Sequence, residues 1–118
     1  LEFRRVLFRS LPSLRPGLAL GRPQGGRWIP SHALAQALRP GEARARLALP
    51  AAGDAARAWL SGEEPDPERL RQQGAELHGD PPEDGWTQVV VAGCGVGWAR
   101  VDGRRVRNLY PKGLRRSG

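Results

Sequence analysis

Residues 86–115 read WTQVVVAGCGVGWARVDGRRVRNLYPKGLR, and the fold turns on how this stretch is divided. Three strand-like runs, Trp86 to Ala92, Val96 to Val101 and Arg104 to Leu109, are separated by Gly93-Cys94-Gly95 and by Asp102-Gly103. Short Val- and Trp-bearing runs between glycine turns predict a β-meander. Asp-Gly is a preferred pair for a two-residue hairpin turn. Taking it as the turn sets Val101 opposite Arg104, Arg100 opposite Arg105, Ala99 opposite Val106 and Trp98 opposite Arg107. One face then carries Ala99, Val101 and Val106 toward a core, and the other carries Trp98, Arg100, Arg105 and Arg107. Like charges directly opposite one another destabilise a sheet, so Arg100 facing Arg105 calls for an anion such as a phosphate. The plainer alternative is a row of solvated arginines that guards a sheet edge. A longer turn would flip every side chain and send Trp98 into the core.

Upstream, Leu14 to Leu20 reads as a short strand broken at Pro16-Gly17, followed by a turn at Gln24-Gly25-Gly26 and a second strand around Arg27-Trp28-Ile29. Ser31 suits the N-cap of a helix running to Leu38, with Ala33, Leu34, Ala37 and Leu38 on one face and Pro40 as its stop. Arg44 to Leu49 alternates apolar and other residues as a strand does. Asp54 is placed to cap a second helix carrying Trp59 and Leu60, with Gly62 at its end, and Pro67 to open a third over Glu68 to Gln73. Gly79 to Gly85 is a loop. The expected class is therefore α+β: a small, mostly antiparallel β-barrel or meander with two or three short helices.

The chain has 118 residues, which bounds it to one domain, and a net charge of +7. Its 16 Gly and 11 Pro leave room for only a modest core, to which four Trp contribute most of the large apolar surface. No apolar run approaches the roughly 20 residues of a membrane helix, so no membrane is expected. One cysteine, Cys94, makes no internal disulfide, and with His32 and His78 it forms no dense set of metal ligands, which fits a reducing, cytoplasmic setting. Leu1 to Ser10, LEFRRVLFRS, matches the conceptual translation of a sequencing-library adapter residue for residue, and is set aside from fold reasoning. The reading frame is then expected to continue upstream of Leu11, so that residues 11–116 form one domain of a longer protein.

Charge is segregated along that domain. Residues 11–62 are basic, 63–85 form an acidic connector, and 86–116 carry seven basic side chains against the single acid Asp102. Arginine accounts for 18 of the 19 cations, a bias that high-GC genomes produce on their own, so position is more informative than total charge.

No catalytic constellation emerges. Val89 to Gly97 looks like a strand entering a phosphate-binding glycine loop, but no helix follows to receive phosphates. Cys94 lacks an activating base and reads as a hairpin cysteine. His32, inside a helix start, reads as structural, and His78 as solvated. The last segment is more informative: Asn108, Tyr110, Lys112 and Arg115 combine an amide, an aromatic ring and cations within eight residues. Rings interleaved with cations suit RNA, whose unstacked bases stack while its phosphates meet Arg and Lys. The alternative is a basic tail with Tyr110 packed on the core.

Leu11-Pro12-Ser13-Leu14, Arg15 to Leu18, Pro30 to Ala35, Trp59 to Glu63, Gly97 to Arg100 and, most specifically, Asn108 to Arg115 resemble the C-terminal region of the RsmF (YebU) family. These are small-subunit ribosomal RNA cytosine-5 methyltransferases of the NOL/NOP/Sun superfamily. The resemblance implies a PUA-like RNA-binding domain, active in rRNA processing, that follows an S-adenosylmethionine-dependent catalytic domain. It implies no cofactor in this fragment itself, and as partners the small-subunit ribosomal RNA and the chain's own upstream methyltransferase domain, in a cytoplasmic monomer. Family members typically carry Lys at the position of Arg100, a departure that keeps the charge, and His at that of Leu109, a departure that weakens any specific contact assigned there. The family's Pro-Cys nucleophile segment has no counterpart, so Cys94 takes no such role. On this reading Trp98 or Tyr110 stacks or packs. Arg100, Arg105, Arg107, Lys112 and Arg115 meet phosphates, and Asn108 bonds a base or sugar. Alternatives are a structural module docked on its own catalytic domain, or the RNA-binding module of another RNA-modifying enzyme.

Overall fold

The computed structural model describes residues 20–115. Most of the Leu14 to Leu20 run and the whole of Leu1 to Ser10 lie outside the described residues. Strand β1 (Gly21–Gln24) and β2 (Arg27–Pro30) form a hairpin. Its turn is Gly25-Gly26, where both residues have positive φ (58° and 77°), the conformation that a tight two-residue turn demands and glycine adopts without strain. The first strand of the pair therefore begins at Gly21, after the stretch from which it was expected.

Helix α1 (His32–Ala37) starts where Ser31 predicts: the Ser31 hydroxyl accepts from the Leu34 amide at 3.1 Å. Helix α2 (Ala55–Leu60) follows Asp54, whose carboxylate makes no cap and instead meets Arg57 at 2.6 Å. Helix α3 (Pro67–Gln72) opens on Pro67, with Asp66 accepting from the Arg69 amide at 2.8 Å.

The main sheet has five strands in the order β4-β3-β5-β6-β7 and is not closed into a barrel. Its members are β3 (Ala45–Leu49), β4 (Glu76–Gly79), β5 (Trp86–Val91), β6 (Cys94–Asp102) and β7 (Arg105–Asn108). Every pairing is antiparallel except β3 with β5. Strand β4 falls inside the stretch expected to be a plain acidic connector. Leu77 lies opposite Leu47, so pairing with β3 wins over that segment's polarity.

The meander is present, with one correction to its register. Arg100 lies opposite Arg107, Val101 opposite Val106 and Asp102 opposite Arg105, so the turn is Gly103-Arg104 rather than Asp102-Gly103. Each partner moves by two residues, which keeps every side chain on its expected face. The physical reason sits at the far end of β7, where Asn108 is anchored to α2. That anchor and the Val101–Val106 pairing outweigh the local Asp-Gly preference.

Both faces of the sheet are covered. On one, Leu47, Leu49, Val89, Ala99 and Val106 pack with Trp59 of α2 and Leu70 of α3. On the other, Trp86 and Trp98 pack edge to face, centroids 6.1 Å apart, beneath Leu34, Ala35 and Leu38 of α1. Gln88, fully buried between the tryptophans' strands and α1, donates its amide to the carbonyls of Ala35 (2.8 Å) and Leu38 (3.0 Å), which end the helix. The close approach requires a glycine on the neighbouring strand: a Cβ on Gly95 would fall 2.1 Å from the Ala35 carbonyl oxygen and 2.5 Å from the Gln88 amide nitrogen.

Gly95→Ala is expected to push α1 off the sheet and to lower stability by about 1–3 kcal/mol or more, as overpacking does. Gln88→Leu leaves two buried carbonyls unsatisfied, at about 1–3 kcal/mol. Denaturant titration checks both, and a Gly95→Ala chain as stable as the parent would contradict this account of the contact.

Candidate nucleic-acid interface

The residues singled out from sequence divide between the interior and the surface. Trp98 is only 3% exposed, and its indole N–H donates to the Ser31 carbonyl at 2.8 Å. It stays on its expected face, but α1 and the β1–β2 hairpin cover that face, so the ring packs instead of standing open for stacking. Asn108 is likewise 3% exposed. Its amide donates to the carbonyls of Trp59 (2.8 Å) and Glu63 (2.9 Å), its side-chain oxygen accepts from the Tyr110 amide (2.9 Å), and its backbone N–H donates to Glu64 (3.0 Å). An amide with all these bonds made is a clasp between β7 and the end of α2, not a reader of bases. Asn108, expected from the sequence to bond a base or sugar, uses its side-chain amide for bonds within the fold.

Arg115 closes the same clasp. Its Nε donates to the Tyr110 carbonyl at 3.1 Å, and its side chain lies over Gly62, where a Cβ would meet its Cδ at 2.7 Å. Gly62 also has φ +98°, so the backbone and the arginine both exclude a side chain there. The Tyr110 ring meets His32 edge-on, centroids 5.5 Å apart, and passes close above Gly97. Lys112, at the start of a 3₁₀ turn (Lys112–Leu114), is exposed. The segment Asn108 to Arg115 is thus chiefly architectural.

What remains at the surface is the outer edge of β6 and β7. Arg105 is exposed and reaches Glu64 at 3.8 Å. Arg107 is exposed and, among the described residues, has no acidic partner. Arg100, directly opposite it, is half-buried. Its Nε donates to the Asp84 carbonyl at 2.9 Å, and its guanidinium stands over the Trp86 ring, 5.3 Å from the centroid. These contacts hold the Arg100 head in one orientation and add roughly 0.5–1 kcal/mol of cation–π attraction. They do not neutralise it. The like-charge pairing anticipated for the meander therefore exists, with Arg107 in place of Arg105.

Beside this pair opens a cavity of about 310 Å³, bounded by Ile29 of β2, His32, Trp86, Arg100, Arg107 and Leu109. Trp86, His32 and Leu109 were not singled out as site residues, because only the docking of α1 and the hairpin on the sheet brings them together. Burial holds the His32 imidazole below the usual imidazole range, and its Nε2 has no hydrogen-bond partner among the described residues.

The glycine-rich run Gly93 to Gly97 is a hairpin and the start of β6. Gly95 is pressed on Ala35 and Gly97 lies beneath Tyr110, so these residues do not fit a cofactor's phosphates or nucleoside. Among the described residues no cluster of His, Cys, Asp and Glu could hold a metal ion, and no helix is long and apolar enough to cross a membrane. Cys94 is exposed.

Residues 46–116 match the family model described as the methyltransferase RsmF PUA domain. No curated protein matches the chain.

Asn108→Ala removes the donors to the buried Trp59 carbonyl and the part-buried Glu63 carbonyl and should cost about 2 kcal/mol or more. Lys112→Ala, at the surface, should stay within about 0.5 kcal/mol, and chemical denaturation separates the two. For His32, a folded pKa below the unfolded one means that its contribution to stability is complete above about pH 6.5 and is lost as pH falls through the folded value. The stability difference between the parent chain and His32→Gln should therefore shrink between pH 7 and pH 5. A difference constant across that range would contradict the burial of a neutral imidazole.

Proposed function

The chain belongs to the methyltransferase RsmF PUA-domain family, and on that premise we propose that it is an RNA-binding domain. In this reading it is the C-terminal part of an S-adenosylmethionine-dependent ribosomal RNA cytosine-5 methyltransferase. It acts in the cytoplasm as a monomer and holds small-subunit ribosomal RNA in place for a catalytic domain earlier in the same protein. The cofactor and the methyl-transfer chemistry belong to that other domain. The residues described above bind and orient.

The observation that carries the reading is the Arg100–Arg107 pair. Two guanidinium groups placed directly opposite in a sheet repel, at a cost of roughly 0.2–1 kcal/mol, and among the described residues neither forms an ion pair with an acid. A phosphate between them reverses the sign of that term and gains charge-assisted hydrogen bonds. Arg104 and Lys112 are exposed as well.

A second reading, docking on the chain's own catalytic domain, is favoured by the opposite face of the sheet. A groove of about 570 Å³ runs there between Leu47, Leu70, Leu77 and Val106, and Leu77 is 47% exposed. The two surfaces lie on different faces, so each can be tested without disturbing the other.

RNA affinity of the full chain should fall with salt, log K decreasing by about 0.7 per log unit for each neutralised phosphate. Arg107→Ala should lower the affinity and reduce that slope by about 0.7. Affinity that is absent, or indifferent to both salt and Arg107, would leave only the docking role.

A further inference from the structure

The cavity beside Arg100 and Arg107 has a composition that matches neither a bare phosphate site nor an apolar groove. Trp86, Trp98, Ile29 and Leu109 line it together with Arg100 and Arg107. Leu109 is 39% exposed, an open apolar wall next to two cations. A ligand that satisfies all of this has a flat, weakly polar body joined to an anion. Its volume must fit about 310 Å³, at the low end of the roughly 300–1,000 Å³ usual for small-molecule sites.

Within RNA only one element has that form. A base-paired helix presents phosphates, but its bases are stacked and cannot enter a recess, whereas an unpaired nucleotide can be splayed out with its base against apolar walls and its phosphate on arginine. We infer that this cavity takes a single unstacked nucleotide of single-stranded RNA, its base between Ile29 and Leu109 and its phosphate on Arg100 and Arg107.

The inference rests on the RNA-binding reading and adds what kind of RNA is bound and where. Arg100 is prepared for it. With Nε on the Asp84 carbonyl and the guanidinium laid against Trp86, the side chain is already ordered before a phosphate arrives. Arg107 supplies the second cation from the adjacent strand. The β1–β2 hairpin contributes Gln24 at the mouth, an amide that can meet a base edge.

The test uses the full chain, a labelled RNA dodecamer offered single-stranded or annealed to its complement, and cytidine monophosphate as competitor. The single strand should bind at least tenfold more tightly than the duplex, and cytidine monophosphate should compete with it. Leu109→Trp fills the cavity without changing charge, and should weaken single-strand binding about tenfold while leaving duplex binding unchanged. Leu109→Ala removes one wall from the base and should also weaken single-strand binding, and chemical denaturation of both variants separates loss of the site from misfolding. Equal binding of both RNAs with no effect of Leu109→Trp would overturn the nucleotide site while leaving RNA binding intact. Cytidine monophosphate binding that Leu109→Trp abolishes, with no binding of either RNA, would support the site and sink the RNA-domain reading. No binding of any of the three would sink both.

Discussion

The structure depends on the contact between Gln88 and the last carbonyls of α1. A chain with 16 Gly and 11 Pro in 118 residues has little apolar surface to bury, and one covered face of a five-stranded sheet would give it a thin core. Docking α1 on the second face adds Trp86, Trp98 and Leu34 to that core. The dock would be unfavourable if it buried the helix's terminal carbonyls without partners, and the Gln88 amide supplies them. Gly95 keeps the space that lets α1 approach.

That dock shapes the functional surface. α1 and the β1–β2 hairpin cover the middle of the tryptophan face, and at its β6–β7 edge Arg100 and Arg107 face each other, the second of them exposed. Glu64 is taken up by Arg105 and by the Asn108 backbone N–H. The same strand therefore serves two purposes. Its inward residues Val106 and Asn108 hold the core and the clasp, and its outward residue Arg107 has no acidic partner among the described residues.

Much of this was legible in the sequence because it is local. Periodicity placed Ala99, Val101 and Val106 on the core face, Ser31 marked the start of α1, and Pro67 that of α3. What escaped depends on contacts far apart in the chain. The hairpin register follows from Asn108 reaching Trp59, 49 residues away, and the burial of Trp98 follows from Ser31, 67 residues away. Strand β4 forms through pairing with β3. The tail from Asn108 to Arg115 reads as an RNA-binding motif because amides, rings and cations suit both RNA and backbone carbonyls. Only the burial of Asn108 shows which partners it has.

In the proposed reading the sheet separates a structural face from a ligand-binding edge. Amide chemical shifts of the full chain, followed during titration with a single-stranded RNA, test it residue by residue. The account requires perturbations at Gln24, Arg100, Arg107 and Leu109, with Leu47, Leu70 and Leu77 on the opposite face unmoved. Shifts concentrated at those leucines, with the arginine edge silent, would contradict it.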